Sequence, residues 1–278
     1  MPNRTKSPLS GDDRDRKDLR TLARTARAGL ISLERASGEL GISEHKASAR
    51  LAGLVRRGWL TRVRRGLFLV LPLESEARVS SVVEDPWLLA VELFAPCYIG
   101  GWSAAEHWDL TEQLFHSTFV VSAGRVRRTD DRVGGIEFHV VKVSPRQVES
   151  VGPIWRGRER VPVSNRERTI ADGLVTPAWL GGIRHLAEIL GGYRRSTFWS
   201  PDRLLAELSR IGTGAAFKRL GFLAETLGLD TPEFVAAARA RRTTGNIRLD
   251  PTIRGRGRLL KRWGLWVNAT VGDGESGA

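Results

Sequence analysis

SLERASGELGISEHKASARLAGLVRRGWLTRVRRGLFLVL, residues 32–71, decides the reading of the N-terminal part of the chain. Leu33, Ala36 and Leu40 share one face of a short helix. Ser32 can cap it, because a serine oxygen accepts from the unpaired amides of a first helical turn. Gly41 ends that helix, since glycine enters the left-handed conformation at little steric cost. Ile42 plugs the core beneath the turn and Ser43 caps a second helix from Glu44 to Arg57, with Ala47, Leu51, Leu54 and Val55 as its apolar stripe. His45, Lys46, Ser48, Ala49, Arg50 and Arg56 are left outward, a small, polar and basic face. Gly58 closes the helix, and Trp59–Thr61 and Val63–Val70 read as two strands around Arg64, Arg65 and Gly66. A generic helical pair followed by a hairpin would explain each piece singly. Their succession is that of a winged helix-turn-helix, in which one helix enters a DNA groove and a basic hairpin flanks it.

The distribution of charge agrees with that expectation. The chain has 278 residues, with 44 Lys+Arg against 31 Asp+Glu and a formal net charge of +13. Residues 1–72 hold 16 basic and 7 acidic residues, and residues 241–262 hold 8 and 1, so the remaining chain is slightly acidic. An excess concentrated in two places is the footprint of polyanion binding, whereas an even excess would serve solubility. Cys97 is the single cysteine, which excludes an internal disulfide and a cysteine-based zinc cluster. No run reaches the roughly 18 to 20 apolar residues of a membrane span, and the N-terminus lacks the form of a signal peptide. A soluble, cytoplasmic protein with no membrane partner is expected.

Residues 1–17, rich in Pro, Ser, Arg and Asp, read as a disordered tail in which acids offset the bases. Leu19, Leu22, Ala23 and Ala26 give a first helix ending at Gly29, so the winged domain spans residues 18–72. Residues 73–84 read as a linker. Asp85-Pro86 is a helix start, a cap followed by proline at the first helical position. Tyr98–Gly101 breaks the pattern, and Ser103 caps a helix bearing Ala104, Ala105 and Trp108. Thr118–Ser122 and Ile136–Ser144 alternate as strands joined through a polar turn at Gly134-Gly135, and Val161–Val163 is a further short strand. Asn165 then caps a helix over Glu167–Val175. Trp179–Leu190, Pro201–Ile211, Gly214–Thr226 and Pro232–Arg239 follow as amphipathic helices, and Trp263–Asn268 returns to strand-like alternation. The expected fold class is α+β, with the winged domain followed by a mixed α/β C-terminal domain over residues 85–270, helical in its second half, and a disordered tail at 271–278.

Several separated pieces resemble one known family: RRGWLTRVRRGLFLVLP, YIGGWSAAEHWDLTEQ, SNRERTIADGLVTPAWLGG, FKRLGFLAETLG and WGLWVN, in order across residues 18–268. Together they resemble the AbiEi-type antitoxins of type IV toxin-antitoxin, or abortive infection, systems. Ala171-Asp172-Gly173-Leu174 departs from the more apolar helix expected there, and Gly173 costs about 1 kcal/mol of helix propensity relative to alanine. The resemblance implies a transcription repressor that binds inverted repeats in its own promoter, with a C-terminal domain that supports antitoxicity. The functional partner it implies is a nucleotidyltransferase-type toxin, opposed without a stable complex. Paired half-sites require a homodimer or cooperative monomers.

For the DNA interface the residues nominate specific roles. Amides at the start of the Glu44 helix, with Lys46, suit a phosphate. His45, Ser48, Ala49 and Arg50 face base edges, Arg50 having the fork that takes a guanine bidentately. Arg62, Arg64 and Arg65 hold the backbone or minor groove from the wing, while Arg56 and Arg57 rank lower as cations at a helix C-terminus. The second basic cluster comprises Arg241, Arg242, Arg254, Arg256, Arg258, Lys261 and Arg262. Its interspersed glycines suggest a mobile loop that follows a phosphate backbone of DNA or RNA, or engages the toxin, against the alternative of an ordinary solvated loop.

Catalytic sets are weak. Asp131 with Glu137-Phe138-His139 is the nearest match to a metal-dependent nuclease pattern, with histidine where lysine is needed, and alternation on a strand explains it as well. His107, Asp109, Glu112 and His116 lack a shared helical face for a metal. The glycine pairs have no Lys-Ser/Thr after them, so no phosphate loop is read. The chain is expected to be no enzyme and to need no cofactor or metal. Eight of the tryptophans, Trp87, Trp102, Trp108, Trp155, Trp179, Trp199, Trp263 and Trp266, are assigned mostly to core packing.

Overall fold

The computed structural model describes residues 11–71, 85–126, 128–157, 159–229 and 232–271. The expected linker at 73–84 and all but Val271 of the expected C-terminal tail lie outside them. The elements run α1 (Gly11–Thr25), β1 (Leu30–Ser32), α2 (Leu33–Leu40), α3 (Glu44–Arg56), β2 (Leu60–Arg64), β3 (Leu67–Val70), α4 (Pro86–Phe94), β4 (Cys97–Ile99), α5 (Gly101–His107), β5 (Ser117–Ser122), β6 (Asp130–Val133) and β7 (Ile136–Lys142). They continue with α6 (Pro145–Glu149), β8 (Pro153–Arg156), β9 (Glu159–Pro162), α7 (Arg166–Val175), a 3-10 turn at Pro177–Leu180, α8 (Ile183–Arg195), α9 (Pro201–Ile211), α10 (Gly214–Thr226), α11 (Pro232–Arg241), β10 (Ile247–Arg248), β11 (Arg258–Leu260) and β12 (Leu265–Val267). The protein is mixed α/β and divides into two compact units, Met1–Ala95 with Arg128–Phe138, and Pro96–Arg127 with His139–Ala278. The boundary therefore differs from the expected one, since α4 and the β6–β7 turn belong to the first unit.

In the first unit local signals act as their chemistry requires. Ser32 Oγ accepts from Arg35 N at 3.2 Å and starts α2. Gly41, at φ 63°, ends it. The amides of Gly41 and Ile42 return to Gly38 O and Ser37 O at 3.2 and 3.1 Å, the paired bonds of a Schellman turn. Ser43 Oγ accepts from Lys46 N at the start of α3. Strands β2 and β3 pair antiparallel with Arg64 opposite Leu67, so Arg65 and Gly66 form a two-residue turn, and Gly66 takes φ 75°. The sheet order is β1-β3-β2. Its inner face joins Leu19 and Leu22 of α1, Ala36 of α2, and Leu51 and Leu54 of α3 in one core with Ile31, Leu60, Phe68 and Val70.

Two expectations for this unit are corrected. Residues 11–17, expected in the disordered tail, are helical, and Asp15 is buried at 2% exposure. Strand β1 was not expected, because three residues are too few to show a period. It exists through its pairing, Leu30 opposite Leu69 and Ile31 opposite Phe68.

In the second unit, β4 pairs antiparallel with β5. Strands β8 and β9 form a hairpin. Helix α7 is buried from Glu167 to Leu174 and is the element around which α5, α8, α9 and α10 pack. Asn165 caps it, its side chain accepting from Arg168 N at 2.7 Å. The terminal sheet has the order β10-β12-β11, with β10 parallel and β11 antiparallel to β12. It closes over Trp263, which is fully buried, and an added Cβ on Gly221 would run into that indole.

Several local expectations for this unit change. Ser103 does not cap α5. It lies inside the helix, and its Oγ accepts from Phe119 N at 2.9 Å, tying helix to strand. The helix expected from Trp179 begins at Ile183, because Gly181 and Gly182 both take positive φ after the 3-10 turn. Asp250, from a distant loop, accepts from Ile183 N at 2.8 Å at that start. Strands β4, β8, β10 and β11 and the short α6 are further elements absent from the sequence reading, as is β6 in the first unit. Of the tryptophans assigned to the core, Trp263 is fully buried while Trp155 is 67% exposed with the Arg160 guanidinium over its ring.

Candidate nucleic-acid interface

The outward face of α3 follows from its apolar stripe. Ala47, Leu51, Gly53 and Leu54 are buried, and His45, Lys46, Ser48, Ala49, Ala52 and Arg56 are exposed. The exposed set has small residues at its centre and cations toward its margin, so a groove wall can approach the backbone closely. Ser43 and the first turn of α3 lie at one end. The Arg65-Gly66 turn brings Arg62, Arg64 and Arg65 to the surface, all exposed. Arg64 is partly committed, with Nη1 donating to Leu93 O at 3.2 Å.

Arg50 departs from the role expected of it. Its Nε donates to Asp18 Oδ2 at 2.6 Å and its Nη2 lies 2.6 Å from Asp15 Oδ1, leaving the side chain 24% exposed. Arg57 Nη2 lies 2.6 Å from the other oxygen of Asp15. Its guanidinium also sits 5.7 Å from the centre of the Trp59 ring. Asp15 falls in the segment that composition alone makes a tail, and Asp18 is the first residue after it, so neither was read as a partner of Arg50. The signal was present as acids spaced with Leu19 and Leu22 on one helical face.

The second basic cluster lies in the other unit. Arg241, Arg242, Arg254, Arg256, Arg258, Lys261 and Arg262 are all exposed. Asp250, the one acid among residues 241–262, is buried and engaged by Ile183 N and by Thr252 N and Oγ1. Arg262 Nε donates to Glu225 Oε2 at 2.8 Å, and Arg242 donates to Arg262 O. Arg241 stacks over Phe217 at 5.5 Å and Arg256 over Trp266 at 5.8 Å. The loop bearing the arginines is tied down. Asn268 Nδ2 donates to Asp250 O, Ile253 O and Gly255 O, and Gly257 packs against the backbone of Val267 so closely that it leaves no room for a Cβ. This corrects the reading of its glycines as a mobile loop: Gly255 and Gly257 serve positive φ and close approach. Nearby, burial and the Arg242 charge push the Lys218 ammonium below its ordinary pKa, while its Nζ donates to Gly245 O at 2.6 Å.

Other sequence candidates come to less. Glu137 is exposed, whereas the His139 ring packs 5.2 Å from Trp102 and 5.1 Å from Phe119. His107 stacks edge-on to Trp108, and burial followed by the Arg156 charge lowers its pKa. Among the described residues no three His, Cys, Asp or Glu side chains are grouped to hold a metal ion. Cys97 is buried, and desolvation pushes its thiol up to about 12, which suppresses the thiolate on which cysteine reactivity depends.

No protein-family model matches the sequence, and no curated protein matches it. The class defined by structure is a mixed α/β protein of two units. Among solved structures, the crystal structure of the RV2827C protein from Mycobacterium tuberculosis is similar, with a TM-score of 0.60 and 19% identity over 89% of this chain and 88% of that one. At that identity the likeness concerns the fold. Among the described residues no helix is long and apolar enough to cross a membrane.

Proposed function

We propose that the first unit is a winged helix-turn-helix and that the protein binds duplex DNA through α3, with the β2–β3 turn as its wing. The observation that carries this reading is the exposed face of His45, Lys46, Ser48 and Ala49 on a capped helix, beside a hairpin whose tip presents Arg62, Arg64 and Arg65. Helix order, sheet order and charge all suit a helix in the major groove and a backbone contact from the hairpin. The resemblance to AbiEi-type antitoxins extends the proposal. The protein is a cytoplasmic repressor of its own operon and the antitoxin of a type IV system, without enzymatic activity or cofactor. It binds inverted repeats as a homodimer or as cooperative monomers and opposes a nucleotidyltransferase-type toxin without a stable complex. Footprinting of the full chain on its own promoter tests the DNA reading. Protection of an inverted repeat supports it, and protection indifferent to sequence contradicts it.

A second reading is favoured by one observation. The seven cations of the second cluster are exposed, and Asp250, the acid of their own segment, is turned inward. That arrangement suits the phosphate backbone of an RNA, or an acidic surface of the toxin, as the target through which the second unit supports antitoxicity.

A further inference from the structure

Helix α1 turns two of its acids inward. Asp15, Asp18, Leu19 and Leu22 turn toward the core of the first unit, whereas Arg14, Lys17, Arg20 and Arg24 are exposed. The inward acids meet α3. One carboxylate, Asp15, bridges Arg50 and Arg57 through its two oxygens, each contact 2.6 Å. Asp18 holds Arg50 from the other side at 2.6 Å.

We propose that Asp15 and Asp18 form a clamp that withholds Arg50 and Arg57 from DNA phosphates. The inference rests on the reading of α3 as the DNA-contacting helix. An arginine beside a groove-docked helix adds affinity for any sequence, because it meets the phosphate backbone that all DNA shares. If both guanidiniums turned to phosphates the Asp15 carboxylate, whose side chain is 4% exposed, would be stranded, and Arg50 would give up Asp18 as well. Removing the partner of a buried charge is strongly unfavourable. Arg50 therefore acts as a positioning residue that fixes α1 against α3. Base reading falls to His45, Ser48 and Ala49, and the clamp holds down the sequence-independent part of the affinity for duplex DNA.

The test uses the full chain, its own promoter and a shuffled duplex, titrated across salt concentrations by fluorescence anisotropy. Asp18 is the more exposed acid, so Asp18→Asn is the primary variant and Asp15→Asn the stronger one. The expected result is several-fold tighter binding of promoter and shuffled duplex alike by Asp18→Asn, with a log–log salt slope steeper by about one for each arginine freed. Loss of packing would weaken binding, so a gain is not a by-product of destabilisation. Arg50→Gln should lower the melting temperature and leave the preference at every base position intact. A folded Asp18→Asn protein that gains nothing on shuffled duplex overturns the clamp, as does an Arg50→Gln protein that loses preference at one base pair. A parent chain that does not discriminate its promoter sinks the DNA reading and the clamp together. Discrimination by the parent with no gain in the variant sinks the clamp alone.

Discussion

Arg168 Nε donates to Asp172 Oδ1 at 2.9 Å across one turn of α7, with side chains 1% and 3% exposed. The pair is the hub of a wider network. Tyr98 OH donates to Asp172 Oδ2 at 2.8 Å, and the Arg168 guanidinium also donates to Gln147 O and Ser150 Oγ at 2.9 and 3.0 Å. Arg168 thus joins β4, α7 and the end of α6. Arg168→Met should cost about 3 to 5 kcal/mol, the penalty for breaking a buried pair and leaving one charge behind. Urea unfolding followed by circular dichroism measures it, and a cost below 1 kcal/mol would show that the network is dispensable.

The same pair predicts a pH dependence. Burial pushes the Asp172 carboxyl up to about 6 against the opposing pull of Arg168. Since the folded-state pKa lies above the ordinary 3.8, the folded state binds this proton more tightly than the unfolded chain. The contribution is fully present below 3.8 and is lost as pH rises through about 6. In urea titrations across that window, Asp172→Asn should gain stability relative to the parent as pH rises, because the variant has no carboxyl to ionise. A stability difference independent of pH would contradict this.

Gly173 is the residue that makes α7 look unlike a good helix in sequence, and the structure supplies its reason. An added Cβ there would overlap Leu180 Cδ1 and stand 3.1 Å from Leu186 Cδ1, both in the core. Gly173→Ala gains about 1 kcal/mol of helix propensity but overpacks a site where such insertions cost about 1 to 3 kcal/mol. The net effect should be destabilising. A Gly173→Ala protein with a higher melting temperature would show that Leu180 moves aside at little cost.

For the second basic cluster, Arg254→Ala, Arg256→Ala and Arg258→Ala combined should leave the melting temperature nearly unchanged, since all three side chains are exposed. On the proposed antitoxin function, rescue of growth from a nucleotidyltransferase-type toxin should fail, or promoter affinity should drop with a shallower salt slope. Parent-like behaviour in both assays would reduce the cluster to ordinary surface charge.

How much of this was readable in the sequence depends on the range of each signal. Caps act within three or four residues, so Ser32, Ser43, Asp85 and Asn165 marked helix starts that the structure bears out, and Pro201–Ile211 and Gly214–Thr226 agree at both ends. Strands of two to four residues, such as β1, β4 and β10, have no period to read and owe their existence to partners far along the chain. Trp179 reads as helix because its apolar face continues the pattern, whereas Gly182 at φ 109° breaks it. On α3 the exposed face was legible from spacing alone. The commitment of Arg50 was not, because its partners Asp15 and Asp18 lie about thirty residues away in a segment whose mixed charge hides an amphipathic helix.

The most direct test of the central claim is the affinity of the full chain for its own promoter against a shuffled duplex, with and without Ala49→Glu. Ala49 is exposed at the centre of the α3 face, and surface substitutions of this kind change stability by about 0.5 kcal/mol or less. The parent should prefer its promoter, and an acid placed against the groove should abolish the preference in a protein with an unaltered melting temperature. Retention of full promoter affinity by Ala49→Glu would contradict the central claim.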